Sequence, residues 1–316
     1  KKNFSYFKNR YFYFFLFFWS YLLLNTLINN FNLDSLKISF FYFRYGVFVI
    51  AIVALLNTND QFIKYFFYCI FICFLVLILD GFYQYFIGEN ILGLKSPNQH
   101  RVSSFFHDEM ILGSYLSRLW PIFFGLSIFF FKKKSKLFSI FVIIFILSEV
   151  LIFLSGDRTA FFYINLSAIF VILFSQKLVK LRLITLLSSI LLIIVVTFFN
   201  QTAKERVFEK TLNQMNLLQE NKQEQIYIFS KEHHLIYVSA YKMFLDNKVM
   251  GVGVKNFRNI CRDPRYHVNK EDENQHCFSH PHNIYLQILA ETGIIGFSFL
   301  IIVIIYFCKF VFKHLF

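Results

Sequence analysis

A histidine at the start of the last apolar run is the residue best suited to acid–base chemistry. His282 is preceded by Pro281 and followed by Asn283, and the apolar run begins at once after that. Proline suits the loop or first turn before a helix, and Asn283 is a suitable N-cap. This pattern predicts that His282 lies at the water boundary of a membrane-spanning helix, where a neutral imidazole accepts a proton. An interfacial histidine with no chemical role is the alternative.

Two arginines are candidates for binding an anion. Arg101 lies in a polar segment before an apolar run, and Arg158 ends a tight turn over 155–158 between two apolar runs. A guanidinium group is a planar fork of donors that suits phosphate oxygens and stays charged. Two such groups and a histidine suit a reaction with a diphosphate leaving group and a hydroxyl acceptor. A solvated Arg101 and a structural or lipid-headgroup role for Arg158 are the alternatives.

The composition indicates a membrane protein. Of the 316 residues, 57% are hydrophobic and 16% are charged, and the apolar residues occur in long unbroken runs. About 20 apolar residues span a bilayer as a helix. The sequence therefore predicts an all-α, polytopic membrane helix bundle with about eight transmembrane helices. The predicted spans are 11–28, 40–57, 63–80, 109–131, 137–154, 159–175, 183–199 and 283–308.

Basic residues predict the orientation of these spans. With eight spans, the basic N-terminus, the loops 132–136 and 176–182 and the basic C-terminal end all fall on one side, which we expect to be the cytoplasm. The candidate site residues then face the opposite side of the membrane. The basic start before a full spanning run predicts an uncleaved anchor. The net charge is +13, but most basic residues sit in short loops beside apolar runs or are scattered through one long polar loop, which argues against nucleic acid as a partner.

The predicted domain organisation separates membrane helices from one large loop. Residues 1–199 carry helices one to seven with short loops, 200–282 form a large loop subdomain on the side opposite the cytoplasm, and 283–316 carry the last helix and a cytoplasmic tail. Within the loop, 203–221 is predicted as an amphipathic helix on the membrane surface, and 225–246 as a second helix. Arg265 of this loop is a candidate for binding sugar or phosphate, with a solvated role as the alternative.

Other polar residues allow structural bonds. Cys261 and Cys277 share the outer loop, where an oxidising compartment permits a disulfide. The neighbouring histidines raise the alternative of zinc, but the spacing matches no common ligand set, so we predict no metal site. Arg118 and Glu149 lie inside predicted spans, and we expect them to form a buried pair, with a lipid-phosphate site as the alternative.

Several motifs together resemble those of the O-antigen ligase and O-antigen polymerase family of bacterial membrane glycosyltransferases. The pattern His282-Asn283, nine residues, Gly293, two residues, Gly296 is similar to the family signature. The turn 155–158, the segment 251–257 with Gly-Val-Gly and Asn-Phe, and the segment 101–106 are similar to further family motifs. The signature departs from the ligase form after Gly296, so ligase and polymerase both stay open.

The resemblance implies a cofactor-free glycosyltransferase. Its donor would be an undecaprenyl-diphosphate-linked glycan, and its acceptor a hydroxyl of the lipid A core or of a second carrier-linked glycan. It implies that the active site and the loop 200–282 face the periplasm of a bacterial inner membrane, that His282 is the general base, and that Arg101 and Arg158 bind the diphosphate. Arg265 and Asn283 are the further candidates for binding the diphosphate or substrate. Membrane lipids are the other expected partners. A polysaccharide or lipid transporter or flippase is the rival class, although no inverted repeat or matching pair of broken spans is present.

Overall fold

The computed structural model describes residues 4–29, 31–96, 101–131, 136–174, 179–199, 212–213, 230–268 and 277–315. Within these ranges the regular elements are helices, and no strand is present. The main helices are α1 Arg10–Ile28, α2 Leu33–Phe41, α3 Phe43–Thr58, α4 Phe62–Ile87, α5 Leu112–Phe130, α6 Lys136–Leu154, α7 Arg158–Phe174, α8 Val179–Phe199, α9 Lys231–Asp246, α10 Phe257–Ile260 and α11 Ile284–Leu315. The predicted all-α fold class is confirmed.

Every predicted span coincides with a helix. The eight spans correspond to α1, α3, α4, α5, α6, α7, α8 and α11. Among the described residues, four helical segments are long and apolar enough to cross a membrane, namely Arg10–Ile28, Leu33–Thr58, Phe62–Ile87 and Ile284–Lys313. Shorter apolar helices cover Ser139–Leu154 and Arg158–Phe174. The chain is therefore a polytopic helical membrane protein.

Some predicted segments differ from the structure or lie outside it. Helix α2 occupies most of the segment 29–39, for which the sequence predicted only an outer connection. It forms because the Asn32 side chain accepts the Ser35 N–H at 2.7 Å and caps the helix. The predicted helix over 203–221 and the basic loop 132–136 lie largely outside the described residues, and the loop 176–182 is described only from 179 onward, where α8 begins. The helix predicted over 225–246 is described from Lys231 onward, as α9.

The chain forms two compact units, which we call the histidine unit and the arginine unit. The histidine unit consists of Lys1–Asn59 and Asn213–Phe316, and the arginine unit of Asp60–Leu212. In the arginine unit, aromatic side chains of α4, α5 and α6 pack together in a buried core, including Phe67, Phe74, Trp120, Phe123 and Phe145. This core packs α4 and α5, which flank the loop that carries Arg101, against α6, which precedes the turn before Arg158.

The predicted pair between Arg118 and Glu149 is wrong. Arg118 is exposed on α5, whereas the buried Glu149 forms an ion pair with Arg182, which is also fully buried. The Arg182 guanidinium lies 4.4 Å from the centroid of the Trp120 ring. Arg182 belongs to α8 and not to the basic loop before it. The sequence suggests which residues of two helices lie at the same depth in the membrane. It does not show which helix faces turn toward each other, because that depends on tertiary packing.

Helix α11 is interrupted at Gly293 in the histidine unit. Gly293 has φ 61° and ψ −165°, a conformation that is essentially restricted to glycine. The interruption leaves two carbonyl groups without helical partners. The carbonyls of Ala290 and Glu291 accept the N–H groups of Val252 and Gly253 at 2.8 and 2.9 Å. The Gly-Val-Gly segment is thus hydrogen-bonded to the break, which satisfies buried backbone groups.

Replacing Gly293 by alanine is expected to destabilise the histidine unit. The backbone conformation alone costs an alanine about 1–3 kcal/mol, and its Cβ would collide with the Val249 carbonyl and lie 2.6 Å from the Met250 nitrogen. Thermal unfolding of the purified protein measures the loss. A Cβ added at Gly125 of α5 would meet open space, so Gly125→Ala is expected to be neutral or stabilising by up to about 1 kcal/mol. Equal stability of the two variants would contradict this account of the break.

Candidate active site

The structure places Arg101 and Arg158 beside the same turn of the arginine unit. The Nε group of Arg101 donates to the Ser155 carbonyl at 2.7 Å, and Arg158 begins α7 directly after this turn. Burial lowers the pKa of Arg101; the charge of Asp157 raises it, and the like charge of Arg158 lowers it. Arg101 is half-buried and Arg158 is exposed. Two guanidinium groups therefore share a field that attracts an anion.

The turn between α6 and α7 is held by Asp157. One carboxylate oxygen accepts the Ala160 N–H at 3.0 Å and caps α7, and the other accepts the Ser114 hydroxyl at 2.5 Å. An added Cβ at Gly113 would lie 2.9 Å from the Asp157 Cβ, so glycine permits this close approach. The segment Gly113-Ser114 thus positions the turn that carries Arg158.

Two buried polar residues of α4 anchor the loop that carries Arg101. One carboxylate oxygen of Asp80 accepts the Ile91 N–H at 2.8 Å, and the other accepts the Ser104 hydroxyl. The side-chain carbonyl of Gln84 accepts the N–H groups of Ser103 and Ser104 at 2.8 and 2.7 Å. Our sequence reasoning missed both positioning residues. Polar groups one helical turn apart at the end of an apolar run were the available signal.

His282 belongs to a cluster of histidines in the histidine unit. Its ring centroid lies 4.2 Å from that of His280 and 5.7 Å from that of His233, and its side chain is exposed. His282 has φ 54°, which is uncommon for a residue other than glycine and tends to occur at functional sites. Ser104, His107 and Lys255 share this feature. These strained positions lie in the two loop regions that carry the predicted site residues.

His280 lies in a positively charged environment. Burial lowers the pKa of His280, and the charges of His282, Lys255 and Arg258 lower it further. Arg258 donates to the Ser279 carbonyl at 3.3 Å. His280 is therefore harder to protonate than a free imidazole, and Lys255 and Arg258 supply fixed positive charge near it.

Asn283 is the N-cap of α11. Its side-chain oxygen accepts the N–H groups of Tyr285 and Leu286 at 3.0 and 3.2 Å. The N-cap predicted from the sequence is confirmed, and this bond fixes the start of the helix directly after His282. A contact between Asn283 and substrate stays a prediction.

Glu291 was also missed as a positioning residue. It is buried, and its carboxylate accepts the Phe257 N–H at 3.3 Å and the Gln287 amide N–H at 3.2 Å. Phe257 begins α10, close after Lys255 in the chain. The carboxylate therefore ties the segment that contains Lys255 and Phe257 to α11, the helix that His282 precedes. A glutamate inside a long apolar run was the signal that could have found it.

Arg265 and the two cysteines lie in the same unit. Arg265 is exposed and forms a bidentate pair with Asp263, with an Nη2 to Oδ2 distance of 2.6 Å. This guanidinium lowers the pKa of Asp263 to about 2. Cys261 and Cys277, whose pairing the sequence left open, form a disulfide. Among the described residues, no group of three His, Cys, Asp or Glu side chains is placed to hold a metal ion.

The predicted site residues are divided between the two units. Arg101 and Arg158 lie in the arginine unit, and His282, Asn283 and Arg265 lie in the histidine unit. A family model described as O-antigen ligase matches residues 140–301, just over half of the chain. The matched range contains Arg158, the Gly-Val-Gly segment and His282. Comparisons with curated proteins and with solved structures gave no match.

Proposed function

Since the chain belongs to the O-antigen ligase family of membrane glycosyltransferases, we propose that it transfers a glycan from undecaprenyl diphosphate to a sugar hydroxyl at the periplasmic face of the bacterial inner membrane. The proposed acceptor is the lipid A core, as for a ligase. A second carrier-linked glycan, as for a polymerase, is the alternative within the family. The observation that carries the proposal is the exposed, strained His282 at the start of α11, inside the range that matches the family.

In the proposed reaction His282 is the general base. The acceptor hydroxyl attacks the anomeric carbon of the glycan, and His282 takes up the hydroxyl proton. The bond between the anomeric carbon and the diphosphate oxygen breaks, and the diphosphate leaves with the electron pair. Arg101 and Arg158 bind the diphosphate and stabilise its developing charge. The scheme uses these arginines for the positive charge that a metal cation supplies in other transferases.

Replacing Arg101 by alanine is expected to raise KM for the carrier-linked glycan and to lower kcat. Hydrogen bonds to charged groups contribute about 1.5–3 kcal/mol, so kcat/KM is expected to fall roughly 10- to 100-fold, and less for Arg101→Lys, which keeps the charge. Initial rates with purified protein measure this. Arg44→Ala, at an exposed arginine of α3, is the matched control, and equal kcat/KM for the Arg101→Ala and Arg44→Ala proteins would refute the assigned role.

Expression in two host strains tests the proposed function. One strain lacks its own ligase, and the other lacks its own polymerase. Gels of surface lipopolysaccharide should show glycan restored to the lipid core in the first strain. A ladder that appears only in the second strain would favour the polymerase. If neither changes, transfer by purified protein from the cognate carrier-linked glycan decides, and its absence would favour a transporter or flippase.

A further inference from the structure

A polar cavity of about 660 Å³ lies within the histidine unit. Its wall is formed by the end of α9, by α10, by the turn Pro264–Tyr266 and by the residue before α2. This volume is within the range of roughly 300–1,000 Å³ that is usual for ligand pockets. The polar side chains that matter most here are Asn32, Asp246, Asn256, Asn259, Asp263 and Arg265.

The asparagines of this cavity form a preorganised amide network. Asn256 is only 1% exposed, and its side-chain oxygen accepts the amide N–H groups of Asn32 at 2.9 Å and Asn259 at 3.1 Å. The Asn256 amide nitrogen donates to the Val252 carbonyl at 3.2 Å. An amide carries two N–H donors and one acceptor oxygen. The exposed Asn259, which gives one N–H to Asn256, therefore brings a further donor and an acceptor to the cavity wall.

The charged residues of the cavity favour an uncharged ligand that is rich in hydroxyl groups. Asp263 and Arg265 form the bidentate pair described above, and Asp246 adds an exposed carboxylate. Two carboxylates and one guanidinium leave a single negative charge, which disfavours a phosphate or diphosphate. Sugar hydroxyls both donate and accept hydrogen bonds, so they match carboxylates, amides and a guanidinium placed together.

A neighbouring cavity has the opposite charge. It measures about 740 Å³ and shares Asn32 and Asn259 with the first cavity. It contains three cationic side chains and one carboxylate, which belong to Lys37, Lys255, Arg258 and Asp34. An anionic group that reaches this part of the histidine unit is therefore drawn to the second cavity. The first cavity is left to an uncharged ligand.

We propose that the asparagine-rich cavity is a binding subsite for an uncharged sugar residue of the glycan substrate. The chemical class of the ligand rests on the proposed function, since a glycosyltransferase must bind sugars beyond the reacting one. Asp263 compensates the charge of Arg265, so within this cavity Arg265 is assigned to binding a sugar and not a phosphate.

Saccharide binding that is measured without catalysis tests this subsite. The probe is the repeat-unit oligosaccharide released by mild acid from the surface polysaccharide of the strain that carries the chain, and inorganic pyrophosphate is the charged comparison. Saturation-transfer NMR with the full chain in nanodiscs gives both affinities. The parent, His282→Ala, Asn259→Ala, Asp263→Asn and Asp60→Asn are compared. Asp60, an exposed carboxylate before α4, controls for the change in charge, and thermal unfolding verifies the fold.

We expect the parent, His282→Ala and Asp60→Asn proteins to bind the oligosaccharide equally. Asn259→Ala and Asp263→Asn should each weaken its binding at least tenfold, whereas Asp263→Asn, which removes a negative charge, should not weaken the binding of pyrophosphate. Parent-like oligosaccharide binding by both variants, or its absence in the parent, would overturn the subsite. If the oligosaccharide binds as expected but the parent transfers no glycan, the proposed function fails and the subsite stands. If the parent transfers glycan but neither Asn259→Ala nor Asp263→Asn weakens oligosaccharide binding, the subsite fails and the proposed function stands.

Discussion

Replacing His282 by alanine is expected to lower the rate of glycan transfer by about 10²- to 10⁴-fold, the usual contribution of a general base. The acceptor hydroxyl is a weak nucleophile while it keeps its proton, and alanine has no group that accepts this proton. His282 precedes α11 and is exposed, so its removal leaves the helix cap at Asn283 and the hydrophobic core in place. Initial rates with purified protein and carrier-linked glycan measure the effect.

His314→Ala is the matched control for this prediction. His314 lies at the other end of α11, so the same substitution there shows whether losing any histidine near an end of this helix lowers the rate. We expect its rate to equal that of the parent, and the thermal stability of His282→Ala to be close to that of the parent. A folded His282→Ala protein with full transfer activity would remove the general base from the mechanism.

Replacing Arg182 by methionine is expected to destabilise the protein by about 3–5 kcal/mol. Removing one partner of a buried ion pair leaves an uncompensated charge away from water. Glu149 is 3% exposed and Arg182 is 0% exposed, and the Glu149 carboxylate also accepts the Ser189 hydroxyl. The loss of Arg182 therefore leaves a buried carboxylate with only a neutral donor. Thermal unfolding of the purified protein measures the loss.

The double variant separates the pair from the packing around it. Replacing Glu149 by leucine in the Arg182→Met protein removes the uncompensated charge, so most of the lost stability should return. Arg118→Met makes the same change at the exposed arginine of α5 and is expected to alter stability by no more than about 0.5 kcal/mol. If Arg118→Met proved as destabilising as Arg182→Met, the assignment of Arg182 as the partner of Glu149 would be wrong.

The positions of the helices could be predicted because their signals are local. An apolar run of spanning length identifies a helix whatever it packs against, and each predicted span is a helix in the structure. The break at Gly293 was not predicted, since it depends on hydrogen bonds to the distant segment around Val252 and Gly253. Helix α2 was missed because its apolar run is short and continues into that of α3.

The candidate site residues could be predicted individually, but the residues that position them could not. His282 and Arg158 stood out because a charged or titratable group next to an apolar run is costly without a role. The supports Asp80, Gln84 and Glu291 were missed, because their partners come from other segments of the chain. The erroneous partner for Glu149 has the same cause. A buried carboxylate indicates that a cation is near it, but the sequence does not indicate which one.

The central claim is that the protein moves a glycan from undecaprenyl diphosphate to a hydroxyl acceptor, and transfer by the purified protein tests it most directly. Vesicles that contain the protein are supplied with the cognate carrier-linked glycan and with lipid A core, and mass spectrometry follows both lipids. We predict that glycan appears on the lipid A core and that an equal amount of undecaprenyl diphosphate is released. If the glycan crosses the vesicle membrane but stays on its own carrier, and is transferred neither to the lipid A core nor to a second carrier-linked glycan, the claim is contradicted and the protein is a transporter.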